Sequence, residues 1–251
     1  MKAQITLTPS ESKRLIAKAI SAMSIVKNAL KEGIILIALS STNSYVVEEI
    51  SGMKIEKERY CSGIVTPEGT FANPSKLMSK EIAIIKGKIE YLDNSKEIIK
   101  KMKKNDIFIK SANAIDPHGN AGIFVSDIDS GELGKLIGRI YARKINFLIP
   151  TGLEKLIYDV KKAFEVAGQQ EYKYFMKLPV SIFPVEGKII TEIEALKILF
   201  DVDATLIGAG GIGGAEGSVT LVIEGENVKK AFKYVLSIKG EKFLYGKRIL
   251  K

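Results

Sequence analysis

Tryptophan is absent from this sequence, histidine and cysteine occur once each, and its apolar runs are short. Each shortage excludes something. With Cys61 as the sole cysteine no intrachain disulfide can form, and with His118 as the sole histidine no clustered zinc site of soft ligands can be assembled. Metal ligation is therefore not expected, and no motif calls for a cofactor. Apolar stretches such as 34–39 have the length of a strand, far below the roughly 20 residues of a membrane-spanning helix. A capped amphipathic helix opens the chain where a secretory signal would place basic and then apolar residues, so the expected location is cytoplasmic, with no membrane partner. The abundance of Lys, Glu and Ile beside the missing Trp resembles the residue usage of thermophile proteins.

What is present points to a folded α/β protein. A chain of 251 residues with 46% hydrophobic content can bury a substantial core, as one large domain or one large and one small. The formal net charge of +9 raises the question of nucleic acid, because clustered lysines attract phosphate backbones. The charge is spread, however. Its densest run, Lys100, Lys101, Lys103 and Lys104, falls near the end of a predicted helix, where cations complement the helix dipole. No RNA-binding aromatic signature, helix-turn-helix spacing or zinc finger accompanies it. A small anionic metabolite gains from the same field and is the expected partner, bound by a monomer or a homo-oligomer.

The pattern along the chain alternates strands with helices. Thr8-Pro-Ser-Glu11 is a capping box with proline at the first helical position, and apolar residues at helical spacing follow as far as Gly33. Residues 34–39 read as a buried strand and 44–50 as a helix. Strands are then expected at 60–66, within 82–92, and at 107–110, 122–126 and 145–149, with helices over 95–103, 131–143 and 152–168. This alternation predicts a mostly parallel, Rossmann-like sheet flanked by helices over residues 1–168. After a linker, residues 173–251 carry strand 177–183, helix 192–200, strands 204–208 and 218–224 and helix 228–238, closed by 243–249. That βαββα order predicts a smaller ferredoxin-like α+β domain.

Ligands of open α/β sheets sit outside the carboxyl ends of strands, so the polar residues there are the candidate site. The strand 34–39 ends in Ser40, Ser41, Thr42 and Asn43, which either bind an anion or cap the next helix. The strand 107–110 runs into Lys110, Ser111, Asn113, Asp116, His118 and Gly119, as substrate contacts or as a hydrogen-bonded turn. Lys110 offers a cation, and His118 is either an acid or base near neutral pH or an exposed turn residue. Gly208–Gly217 has the spacing of a dinucleotide fingerprint, but a strand follows it where a helix is required. It reads as a hairpin connection, or as a backbone nest in which Gly210, Gly211 and Glu216 cover the main pocket.

Ile-Ala-Leu-Ser-Ser-Thr-Asn43, Ser111-Ala-Asn-Ala-Ile-Asp116 with Gly119, the Gly134–Arg143 helix and Pro150-Thr-Gly-Leu-Glu-Lys155 together resemble the NagB/RpiA/CoA-transferase-like superfamily over roughly residues 10–165. The phrase Ser-Ala-Asn-Ala-Ile and the later Gly-Leu-Glu-Lys are most similar to its lactate-utilisation (LUD) branch and related archaeal proteins. The resemblance implies a phosphate turn at Ser41 and Thr42, with Ser40 where isomerases have glycine, and ligand contacts from Gly152 and Lys155. Lys110 and Asn113 stand where isomerases have carboxylates, which disfavours a conventional ribose-phosphate isomerase. Glu132 is the nearest candidate for a CoA-transferase nucleophile.

These readings together predict a protein that binds a small anionic metabolite of the phosphorylated-sugar, organic-acid or acyl-CoA type. If it is an isomerase or acyl-transfer enzyme, Asp116 is the expected base, with Lys110, Lys155 and His118 beside it. The alternatives are a non-catalytic metabolite-sensing or assembly subunit, and a basic nucleic-acid-associated protein.

Overall fold

The structure is a computed structural model that describes residues 1–244, apart from the side chain of Glu132. The chain opens with β1 (Lys2–Leu7), α1 (Pro9–Ala22), α2 (Ser24–Glu32), β2 (Ile34–Ile37) and α3 (Ser41–Ser51). Two hairpins follow, β3 (Gly63–Thr66) with β4 (Gly69–Ala72) and β5 (Glu81–Ile85) with β6 (Lys88–Leu92). Next come α4 (Lys96–Lys101), β7 (Ile107–Ile109), β8 (Ala114–Ile115), β9 (Ala121–Val125), α5 (Gly131–Ala142), β10 (Asn146–Pro150) and α6 (Val160–Val166). The remainder is β11 (Ser181–Val185), β12 (Lys188–Ile190), α7 (Glu192–Phe200), β13 (Asp203–Ala209), β14 (Val219–Glu224) and α8 (Val228–Ser237).

The architecture is mixed α/β. Its central sheet has six strands in the order β12-β10-β7-β2-β5-β6; the first four run parallel, β5 runs antiparallel to β2, and β6 turns back antiparallel to β5. Ile35–Ile37, Ile107–Ile109 and Phe147–Ile149 are all buried, as strands covered on both faces must be. A three-stranded antiparallel sheet, β1-β14-β13, carries α7 and α8, while β8, β9 and β11 form another. Hydrogen bonding therefore crosses the division between 168 and 173: β1 pairs with β14, β9 with β11 and β10 with β12.

The capping box at Thr8 is formed, with Thr8 N–H donating to Glu11 Oε2 at 2.9 Å and Glu11 N–H to Thr8 Oγ1 at 3.4 Å. Two expected helices are broken. The first divides at Met23, which is extended at φ −60° and ψ 136°. The helix expected over 152–168 is a single 3₁₀ turn at Leu153–Lys155 followed by α6, because Ile157 N–H donates to Ile115 O at 2.8 Å and Asp159 then caps a new start. The strand expected at 177–183 is shifted to β11. Of the closing strand expected at 243–249, residues 245–249 lie outside the described residues.

Charge fastens the segment after α8 to the first helices. The Arg14 guanidinium reaches Glu241 at 2.9 and 3.1 Å, Glu49 at 3.0 Å and Glu48 at 2.7 Å, and lies 4.8 Å from the centre of the Tyr45 ring. Lys239 meets Glu11 at 2.7 Å. Arg14 is shielded by burial, yet its carboxylate partners hold it above its ordinary range.

Candidate functional site at the carboxyl edge of the parallel strands

Sheet order sets the carboxyl ends of β12, β10, β7 and β2 side by side. Polar residues follow each of them: Ser40–Asn43 after β2, Lys110–Asn113 after β7, Thr151–Lys155 after β10, and Thr191 and Glu192 after β12. Because β2 pairs with β7, the starts of the turns at 40–43 and 111–116 are neighbours, while Asp116 lies beyond β8.

Hydrogen bonds tie these ends together. Asn43 donates its amide to Ala38 O at 2.7 Å and Ile109 O at 3.0 Å, stitching β2 to β7, while its own carbonyl has no partner among the described residues. Ser40 Oγ accepts Asn43 N–H at 2.9 Å and serves as the cap of α3. Thr42 is fully buried and its hydroxyl is unpartnered. From the next strand, Thr151 Oγ1 accepts Ala112 N–H at 3.1 Å and Lys155 Nζ donates to Ala112 O at 2.9 Å, so the β10 loop holds both sides of one residue after β7.

A charged cluster lies behind that loop. Glu192, the first residue of α7, is fully buried; its Oε2 accepts Leu153 N–H at 2.9 Å and its Oε1 has no partner among the described residues. Burial and the neighbouring Glu154 push its carboxyl up to about 7, against a smaller opposing pull from the nearby Ser12 hydroxyl. Glu154 turns its side chain back over Gly152, where a Cβ would displace the carboxylate from its place. Its Oε2 is buried and unpartnered, and its Oε1 stands 4.0 Å from Lys13 Nζ. Lys155 keeps partial exposure as a residue, yet its amine is set deep enough that burial lowers its proton affinity, and Lys13 adds to this against the pull of Glu154. Cys61, within electrostatic reach of Lys13 and Lys155, is pushed up to about 12 by burial and is not a ready thiolate.

The glycine-rich connection between β13 and β14 covers this cluster from one side. Gly217 has φ +78°, and a Cβ there would stand 3.2 Å from Pro9 and 3.8 Å from Glu154 Cβ. The following Ser218 is buried with an unpartnered hydroxyl. Gly210, Gly211 and Glu216 are exposed, and Glu216 accepts Gly214 N–H within the loop.

Other predicted residues are occupied locally. Asp116 accepts from the N–H groups of His118 at 2.9 Å, Asn120 at 3.0 Å and Val160 at 3.0 Å, and from the Asn120 amide. Burial opposes its ionisation, but these donors outweigh it and hold the carboxyl below the usual range. It pins the β8–β9 turn to the first turn of α6. His118 and Gly119 are exposed in that turn. Asn113 accepts Phe124 N–H at 3.0 Å, Ser111 is buried, and Lys110 is half-buried. The Glu132 side chain lies outside the described residues.

Lys13, Glu154, Glu192 and Ser218 escaped the sequence reading. A Gly-x-Glu-Lys turn after a buried strand was the available signal for Glu154, whereas Glu192 reads only as an acidic residue at a helix start. At the opposite end of the strands a hollow of about 530 Å³ is lined by Ile25, Tyr141, Lys144, Asn146 and Lys188 among others. None of its lining residues carries an unpartnered buried side-chain polar atom. No family model, curated protein or solved structure matches the chain.

Proposed function

We infer that the chain binds a small hydroxylated, anionic metabolite at the carboxyl edge of its parallel strands, of the phosphorylated-sugar or hydroxy-acid class. One observation carries this reading. Among the described residues, six buried side-chain polar atoms lack a partner, and five of them, on Thr42, Asn43, Glu154, Glu192 and Ser218, belong to this edge and its cover. Buried polar groups are normally satisfied, and exceptions concentrated in one place ask for a ligand.

Their chemistry narrows it. Asn43 Oδ1 and a carboxylate oxygen only accept hydrogen bonds, while the two hydroxyls give or accept. A ligand rich in hydroxyl donors satisfies this set better than a bare phosphate or a thioester. Its anionic end is served by the first N–H groups of α3 and by Lys13. The resemblance to the NagB/RpiA/CoA-transferase-like superfamily places a phosphate at the same turn, which adds support. Thermal-shift and calorimetric titrations with ribose 5-phosphate, glucose 6-phosphate and 3-phosphoglycerate test the reading, with acetyl-CoA and inorganic phosphate for comparison. A sugar phosphate or hydroxy acid at a hundred times its dissociation constant stabilises the fold by about 2.7 kcal/mol, and Thr42→Val weakens the binding. Stabilisation by acetyl-CoA alone, or by none of these compounds, refutes it.

A further inference from the structure

Lys155 donates to Ala112 O and Glu192 accepts Leu153 N–H at this same edge. From the geometry we propose that Lys155 is an imine-forming amine, with Glu192 carrying the protons, acting on an aldehyde or ketone group of the bound metabolite. The proposal rests on the binding reading above and narrows its ligand to a carbonyl compound.

Three observations support it. First, Lys155 sits on the 3₁₀ turn after β10 and reaches across to the end of β7, so its amine stands where a ligand of these strands would lie. Second, its one hydrogen bond among the described residues goes to the neutral Ala112 carbonyl, and no ion pair holds its charge. An ammonium set deep in protein without a paired carboxylate is disfavoured against the free amine, which keeps a lone pair while donating to Ala112. Third, Glu192 has one oxygen committed to Leu153 and the other unengaged, so it can hold a proton and release it. The charged and titratable groups within electrostatic reach of Lys155 are Lys13, Glu154, Cys61 and Glu192; Lys13 repels a proton from the amine, and the carboxylates attract one.

The step balances. The Nζ lone pair adds to the carbonyl carbon as the Glu192 carboxyl gives its proton to the carbonyl oxygen, leaving a carbinolamine with a protonated nitrogen. That nitrogen returns a proton to Glu192, which passes it to the new hydroxyl. Water then leaves as the nitrogen lone pair forms the C=N bond, giving an iminium and a Glu192 carboxylate. Imine formation is redox-neutral, and the only redox reagent is the trapping reductant, borohydride, which delivers hydride to the iminium carbon and leaves a stable secondary amine.

Dihydroxyacetone phosphate and glyceraldehyde 3-phosphate are the probes, with sodium borohydride, intact-mass measurement and peptide mapping of the unmutated chain. Glycerol 3-phosphate, which has the anion but no carbonyl, is the control. The expected result is one adduct per chain, mapped to Lys155 ahead of the exposed lysines, with trapping slowed about a hundredfold in Glu192→Gln. Thermal stabilisation by the probes and by glycerol 3-phosphate alike, with no adduct at Lys155, overturns the imine and leaves the binding site standing. Adducts scattered over surface lysines overturn it as well. Absence of both stabilisation and adduct removes the imine together with the site on which it rests.

Discussion

Replacing Glu192 by Gln separates the electrostatic consequence of burying this carboxyl from its hydrogen bond, since a glutamine oxygen still accepts Leu153 N–H. Below pH 4.5 the folded and unfolded chains both carry the Glu192 proton, and the group leaves stability unchanged. Between 4.5 and about 7 the unfolded chain releases the proton while the folded chain retains it, so stability falls as pH rises. Above this window both states are ionised and the loss is complete. At about 1.4 kcal/mol per tenfold change in proton affinity, a carboxyl moved from 4.5 to about 7 costs about 3 kcal/mol once charged. Lys155 acts in the opposite sense, since a fold that disfavours its protonated form gains stability as pH rises toward its ordinary range. That contribution is common to both chains and cancels in their difference, apart from its coupling to Glu192. Because the sequence has no tryptophan, far-ultraviolet circular dichroism in urea is the suitable assay. The Gln variant should match the parent near pH 5 to within about 1 kcal/mol and exceed it by about 3 kcal/mol near pH 9. A difference that does not vary with pH refutes the reasoning.

Three further substitutions follow from the geometry. Gly152→Ala forces the Glu154 carboxylate from its place, and because only the end of a flexible side chain must move the cost in urea unfolding should stay below about 1 kcal/mol; a larger loss that the double variant with Glu154→Ala recovers would show that the carboxylate cannot move aside. Arg14→Met leaves Glu48 and Glu241 without their guanidinium; with Lys57 still 3.2 Å from Glu48, the expected loss is about 3 kcal/mol, and equal melting points for variant and parent count against a structural hub. Asn43→Ala strips a donor from two buried carbonyls and should destabilise by about 2–4 kcal/mol, with faster hydrogen exchange along β2 and β7; unchanged exchange would mean that the strands hold without it.

Much of the fold was legible because local chemistry agreed with the final arrangement. The capping box at Thr8, the apolar strands at 34–37 and 107–109 and the polar turns after them depend on neighbours a few residues away. Sheet order carried those turns to one edge. Lys155 was placed on the wrong element because Leu153, Leu156, Val160 and Phe164 fit a helical period. The competing hydrogen bond from Ile157 to Ile115 that breaks it joins residues 42 positions apart. Glu192 was illegible for a related reason: the capping box beside it, Thr191 with Glu194, is local, but its site exists only once β12 has paired with β10. Asp116 read either as a substrate contact or as part of a hydrogen-bonded turn, and the donor that the sequence could not show is Val160, 44 residues onward.

β1 also has a consequence in time. Leu7 pairs with Val219, and Lys2 with Glu224, so the first strand must wait for its partner through more than two hundred residues of synthesis. At ribosomal speeds of about 5–20 residues per second that delay is roughly 10–40 seconds. Throughout it the alternating apolar side chains of Ile5 and Leu7 have no β14 to cover them. The newly made β1 segment therefore stays sticky until β14 emerges, and among the described residues the last sheet to be assembled is the one that shelters it.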